Sequence, residues 1–319
     1  MRVLIVGAGA VGQVYGRHLE KAGWDVNYFV REKYAAEARE GYWVYPLNET
    51  KQAVRFAGFG VFTAVEEVLA SSFDQVWLCV PQNALMGEWL GPFLEACGGA
   101  KVVNTVPGLE TTSRLKGLVG DGRVLSAMIG FIAWQAPLPG EQIEPPGIMY
   151  WFPPGAPSPF SGPDAGRTVA ALKAGGLPAK KVSSVASQSG RGSAVLLSTV
   201  AALEACGWSF EDFRAGEGSD WASACSKQAV AVAGAYMGQR SGPLAIFATP
   251  WLLRMLTTVG PCVVPFDLET YIAYHFDKVG AQTRLALESW IRLGHQHELP
   301  VDAIEAMLAR LRDVPAADG

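Results

Sequence analysis

The sequence predicts an α/β fold for the first part of the chain and an all-helical fold for the second. Short apolar runs alternate with helix-like stretches from residue 2 onward, the pattern of a parallel sheet with crossover helices. A glycine-rich turn joins the first of those runs to a helical stretch. After about Ala186 the residues become Ala-rich with helical periodicity. The 319 residues therefore divide into 1–186 and 187–319, a length that suits two cores better than one.

Composition narrows the function classes. Half of the residues are hydrophobic (50%) and 18% are charged, enough for a large buried interior. A net charge of −4, with no basic run of five, argues against nucleic acid as a partner. The five cysteines, Cys79, Cys97, Cys206, Cys225 and Cys262, are scattered without a C-x-x-C spacing and read as buried thiols in a reducing compartment. The first strand runs straight into the glycine turn, leaving no room for a signal peptide. The longest weakly charged helical stretch, Gly192–Trp208, contains Glu204 and is too short to cross a bilayer. His295 and His297 have poor metal spacing, and no metal cluster is expected. The expectation is a cytoplasmic protein with no membrane, metal or nucleic-acid partner.

Strands are expected at Arg2–Val6, Val26–Val30, Gln75–Val80, Lys101–Val106 and Arg123–Ile129, and helices at Ala10–Ala22, Asn83–Cys97 and Leu109–Leu118. The Pro- and Gly-dense segment Pro137–Pro163, around Ile148-Met149-Tyr150-Trp151-Phe152, reads as the loops and strands of an antiparallel extension. Helices then follow at Ser193–Ala205, Ser219–Tyr236, Pro250–Thr258, Pro265–Gly294 and Val301–Leu311. Ser209 before Glu211 and Asp212, and Asp302 three residues before Glu305, mark helix starts.

The turn Gly7-Ala8-Gly9-Ala10-Val11-Gly12 is G-x-G-x-x-G between a strand and a helix. Gly7 allows the tight turn, Gly9 lets a pyrophosphate approach the backbone, and Gly12 lets helix and strand pack closely. The free amides and dipole of the helix start favour phosphate charge. A dinucleotide site is the expectation. NAD sites end the second strand with Asp or Glu. Here the end reads Val30-Arg31-Glu32-Lys33, and Arg31 with Lys33 suits a 2′-phosphate, so NADP is expected.

A GxGxxG start, an Arg ending the second strand, a Pro/Gly-rich segment ending near Pro163 and a helical C-terminal part together resemble the ketopantoate reductase (2-dehydropantoate 2-reductase) family. The resemblance implies a Rossmann domain, a helical substrate and dimerisation domain of the 6-phosphogluconate dehydrogenase-like type, and hydride transfer from NADPH to a 2-keto acid in a cleft between them. It also implies a divergent member. A Lys after the third of the five expected strands is replaced by Gln82, the Asn of an Asn-Gly pair by Pro107 before Gly108, and the general-acid Lys at the first C-terminal helix by Ser193 or a neighbour. On this reading Val80, Pro81, Gln82, Pro107 and Gly108 bracket the ribose and nicotinamide.

Reducing a ketone needs a proton donor and a group to hold the carboxylate. Tyr271, His275, Lys278 and Gln282 are spaced four, three and four apart, which places them on one helix face. A solvated face is the alternative, but the apolar stripe of Leu268, Ile272, Phe276 and Val279 beside them favours partial burial. Tyr271, His275 and Lys278 are the expected catalytic residues, with Gln282 and Ser193 contacting substrate. The function expected is NADP-dependent reduction of a keto or imino acid less polar or larger than ketopantoate. An opine-dehydrogenase-like imine reduction and a non-catalytic NADP-binding protein remain open, as does a homodimer.

Overall fold

A computed structural model describes residues 1–106, 111–238, 248–278 and 280–312, without the side chains of 187–189 and 312. The chain divides into two units, Met1–Val185 and Ala186–Gly319.

The first unit is organised by β1 (Arg2–Val6), whose side chains are buried on both faces. Val3 and Ile5 point to one hydrophobic cluster, and Leu4 and Val6 to the other, as the two-residue period of a strand requires. Such a strand is viable only inside a sheet covered on both sides. The remaining strands are β2 (Asp25–Phe29), β3 (Tyr42–Pro46), β4 (Val54–Phe56), β5 (Gly60–Phe62), β6 (Gln75–Leu78), β7 (Lys101–Asn104), β8 (Val124–Ala127), β9 (Ile132–Ala136), β10 (Gly147–Trp151), β11 (Ser158–Ser161) and β12 (Ala179–Lys181).

The main sheet has the order β12-β11-β8-β7-β6-β1-β2-β5, and β5 through β8 in this row run parallel. Counted along the chain these six strands are ordered 3-2-1-4-5-6, the doubly wound arrangement of a dinucleotide-binding sheet. One face is covered by helix α1 (Ala10–Lys21) and helix Ala165–Ala174, the other by helices Val65–Leu69, Leu90–Ala96 and Thr111–Val119. The second unit holds the helices Val185–Ala205, Phe210–Ala215, Gly218–Tyr236, Pro250–Val263, Leu268–Lys278, Gly280–Gln296 and Asp302–Arg312, the first of them beginning at the last residue of the first unit.

Several element expectations need correction. The segment Pro137–Pro163 does not form one extension: β10 pairs antiparallel with β9 and parallel with β3 in a separate four-stranded sheet, while β11 joins the main sheet against β8. The helix expected at Asn83–Cys97 is a 3-10 turn at Gln82–Met86 followed by the helix Leu90–Ala96. Pro92 lacks an amide hydrogen and is tolerated only in a first turn, so the helix begins two residues before it. The helix expected from Ser193 starts at Val185, which places Ser193 in its third turn. The helix expected to stop at Thr258 runs to Val263 through Pro261. The Thr257 carbonyl that Pro261 cannot serve accepts instead from Arg214 at 2.8 Å.

The stretch Pro265–Gly294 is described as two helical segments on either side of residue 279. The first starts late because the Asp267 carboxylate accepts from the Thr270 amide at 3.1 Å, capping it. Ser209 caps its helix as expected, accepting from Asp212. Asp302 does not close a capping box. It accepts from Gln228, whose own carbonyl oxygen takes the amides of Ala303 and Ile304 at that helix start.

The buried side of α1 carries a polar group that fastens it to the second sheet. His18 is wholly buried, with Nδ1 2.7 Å from the Gly175 carbonyl and Nε2 3.2 Å from the Tyr150 hydroxyl. Arg17 donates to the same hydroxyl and pairs with Glu49, which also pairs with Lys21. Burial lowers the His18 pKa from 6.5 to about 4, with the Arg17 and Lys21 charges acting in the same direction. The unfolded chain therefore binds more protons than the folded one between pH 4 and 6.5. Stability contributed at His18 is complete above pH 6.5 and falls, by about 3 kcal/mol in all, as pH drops to 4. Urea denaturation at stepped pH should show this loss in the wild type. His18→Gln should flatten that part of the profile while lowering the plateau at pH 7.

Candidate dinucleotide and active site

The turn after β1 is shaped by three glycines that meet different surroundings. Gly7 has φ +95°, a conformation that side chains oppose, and a Cβ there would lie 2.7 Å from the Cys79 carbonyl oxygen and 2.8 Å from Val80 Cγ1. At Gly12 a Cβ would lie 2.1 Å from the Gly7 carbonyl oxygen and 3.2 Å from Ile5 Cγ2, so helix and turn are in backbone contact. At Gly9 it would meet nothing within 4 Å. Gly7 and Gly12 are thus required by the protein's own packing, whereas the bare backbone at Gly9 is not. Open space there is what a closely approaching ligand needs.

Gly9 is the N-cap of α1 and offers no side-chain cap, and the first turn contains no acidic residue. The first helical bond runs from the Gln13 amide to the Gly9 carbonyl at 3.0 Å, so the amides of Ala10, Val11 and Gly12 have no intrahelical acceptor. An uncapped amide cluster with the positive end of a helix dipole can hold a phosphate. Ala8 is braced from behind, its carbonyl accepting from Gln13 Nε2 at 2.8 Å.

Neighbouring strand ends complete this crest. β1 lies between β2 and β6, and the chain leaves those strands toward opposite sides, which makes a crevice at the switch point. Arg31 follows β2 and is exposed beside Glu32, Lys33 and Tyr34. Glu32 forms no ion pair with Arg31 or Lys33 among the described residues. Val80 and Gln82 are half-buried and Pro81 is exposed after β6. Pro107 and Gly108 lie outside the described residues.

At the end of β7, Asn104 and Thr105 are buried and tied down. Asn104 donates to Thr112 and accepts from the Val106 amide, and the Thr105 hydroxyl donates to the Leu78 carbonyl at 2.6 Å. Cys79, expected in the core, is half-buried, and burial pushes its thiol up to about 12, which disfavours the thiolate a nucleophile needs. All five cysteines are free, and no metal cluster occurs among the described residues.

In the second unit, the Tyr271 ring is buried and stacks on His275 at 5.3 Å between centroids. Burial raises the Tyr271 pKa. Burial first, and the charge of Lys278 second, hold His275 below its ordinary value, so its imidazole is neutral at pH 7. Lys278 is exposed at the end of that helix, Gln282 is half-buried in the segment after residue 279, and Ser193 is half-buried. The structure therefore brings Tyr271, His275 and Lys278 together on one helix, and leaves Val279 outside the described residues. Tyr34 and the Asn104–Thr105 pair escaped the sequence reading. Tyr34 carried a signal, its spacing of three from Arg31, the repeat of a 3-10 turn.

The family model described as Ketopantoate reductase PanE/ApbA matches residues 3–141. The chain is similar to the ketopantoate reductases, as its motifs imply. Solved structures extend the likeness of fold over the whole length. The 2-dehydropantoate 2-reductase of Geobacter metallireducens GS-15 is 17% identical with a TM-score of 0.74, covering 99% of this chain and 100% of that one. A PanE/ApbA family ketopantoate reductase of Ralstonia eutropha JMP134 is 20% identical with a TM-score of 0.71, covering 98% of each. D-mandelate dehydrogenase, solved with NADH and anilino(oxo)acetate, is 13% identical with a TM-score of 0.75, covering 98% of this chain and 97% of that one. No curated protein matches the sequence. Among the described residues no helix is long and apolar enough to cross a membrane.

The two glycines at the helix start should respond differently to a methyl group. Gly12→Ala should destabilise the protein by about 1–3 kcal/mol in chemical denaturation, because backbone faces the new Cβ at 2.1 Å. Gly9→Ala should shift stability by no more than about 0.5 kcal/mol, since nothing lies within 4 Å.

Proposed function

We infer that the protein is an NADP-dependent oxidoreductase that reduces a 2-keto acid, or a related keto or imino compound, by hydride transfer. The observation that carries this reading is the open, uncapped backbone at Gly9, set one strand away from the basic tip at Arg31. The residues fit a dinucleotide: the free amides of Ala10, Val11 and Gly12 would hold phosphate charge, and the exposed Arg31 would offer a fork for a 2′-phosphate. Val80, Pro81 and Gln82, with Pro107 and Gly108, would border the ribose and nicotinamide. When bound, NADPH supplies the hydride.

Two tasks are left to this chain: holding the substrate carboxylate and delivering a proton to the developing alkoxide oxygen. Lys278 is the proton donor in this reading. A neutral His275, stacked on Tyr271, is a weak acid and serves better as a hydrogen-bond donor that orients the substrate. Gln282 and Ser193 complete the substrate contacts. Where the family resemblance expects Lys, Asn and Lys this chain has Gln82, Pro107 and Ser193. Their lower polarity and lack of charge support a keto acid less polar or larger than ketopantoate.

NADPH absorbance should fall with at least one member of a panel of 2-keto acids, aryl-substituted ones included, tested with and without amines. Lys278→Ala should lower kcat about a hundredfold or more with NADPH affinity retained. Arg31→Ala should weaken NADPH about tenfold and leave NADH unchanged. Tight NADPH binding without turnover on any substrate would replace the enzyme by a nucleotide-binding protein. Absence of NADPH binding would remove the whole reading.

A further inference from the structure

At the tip of β2 three exposed side chains form a group that the sheet itself does not require. Arg31 Nη2 donates to the Tyr34 hydroxyl at 3.2 Å, and Arg31 Cζ lies 5.1 Å from the centroid of the Tyr34 ring. Lys33 Nζ lies 4.8 Å from the same centroid. Two cations are thus gathered on one aromatic ring, which offsets part of their repulsion through its quadrupole. Neither cation has an ion-pair partner among the described residues, although Glu32 stands between them in sequence.

The Tyr34 ring contributes little to the core, since it retains 41% of its surface. Its phenol is held below its ordinary value, by the hydrogen bond and charge of Lys33 first and by Arg31 next. A phenol that accepts from a cation keeps its own proton free to donate. The group therefore presents a guanidinium fork, an ammonium and a polarised O–H in one exposed place, with no ion-paired acid among the described residues. A doubly charged phosphate monoester matches this set: its oxygens accept from all three, and its charge relieves the crowding of the cations.

We propose that Tyr34 is the specificity-determining residue of the 2′-phosphate subsite: it holds Arg31 and Lys33 together on its ring and donates its hydroxyl proton to the phosphate. This rests on the NADPH reading above and extends it, because selectivity for the phosphorylated cofactor then depends on a neutral side chain as well as on the two cations. A diester, with one negative charge and two free oxygens, gains less from the arrangement, and an unphosphorylated ribose less still.

Calorimetric titration of the full chain with NADPH and with NADH, for the wild type, Tyr34→Phe and Tyr34→Leu, tests it. Loss of the hydroxyl alone should weaken NADPH about fivefold, and loss of hydroxyl and ring about tenfold or more. NADH affinity should change less than about twofold, and the thermal midpoint should hold because Tyr34 lies outside both hydrophobic clusters of the first unit. The salt dependence of NADPH binding should become shallower in Tyr34→Leu, where the cations are no longer gathered. The proposal fails if both variants bind NADPH like the wild type, or if NADH weakens by the same factor. A wild type that prefers NADPH while the Tyr34 variants change nothing would sink this clamp alone. A wild type that binds the two cofactors equally, or neither, would sink the NADP reading and the clamp with it.

Discussion

The contact on which the first unit depends is the meeting of α1 with the turn that precedes it. Gly12 rests against the Gly7 carbonyl, and Gly16, one turn further on, rests against the Tyr28 hydroxyl, where a Cβ would lie only 2.1 Å away. That hydroxyl donates to the Gly12 carbonyl at 2.9 Å, so β2 holds the helix at the height the glycines permit. Only a helix this close to the sheet brings its first amides level with the ends of β1, β2 and β6. The open Gly9 backbone and the Arg31 tip belong to one crest for this reason.

The opposite end of α1 is fixed by different chemistry. His18, Arg17 and Lys21 engage Tyr150 of the second sheet, Glu49 in the turn after β3, and Gly175 at the end of helix Ala165–Ala174. A Cβ at Gly175 would lie 1.8 Å from the His18 carbonyl oxygen, so this junction, too, is made at backbone distance. The helix that offers its amides to a ligand is therefore anchored along its length. Such rigidity suits a site whose donors must be in place before the ligand arrives. The cost is a buried imidazole that has to stay neutral.

The helical unit shows the same economy at points where the sequence breaks local rules. Pro261 inside a helix and the uncapped start at Asp302 both leave backbone groups without local partners, and long side chains from elsewhere, Arg214 and Gln228, supply them. At these two points the backbone groups are satisfied from elsewhere in the fold rather than within the helix that needs them. The Tyr271–His275 stack beside Lys278 is local, by contrast, and is a consequence of helical spacing alone.

Residues close in sequence, acting through short-range sterics and period, were legible without a structure. Five strands of the α/β pattern, the glycine turn with a separate role for each glycine, the Arg31 tip and the Tyr271–His275–Lys278 face all follow from spacing within a few residues, whereas the three-residue β5 at the sheet edge carried too short a pattern to be read. The tertiary structure decided what spacing cannot reach. It put β3 and β10 in a second sheet, which a hundred intervening residues conceal, and it let Pro261 lie inside a helix because Arg214 takes up the freed carbonyl. It also turned Tyr34 from an unremarked turn residue into the partner of two cations. Period and propensity act along the chain, whereas the partner of a polar group and the neighbour of a strand are settled only by packing across it.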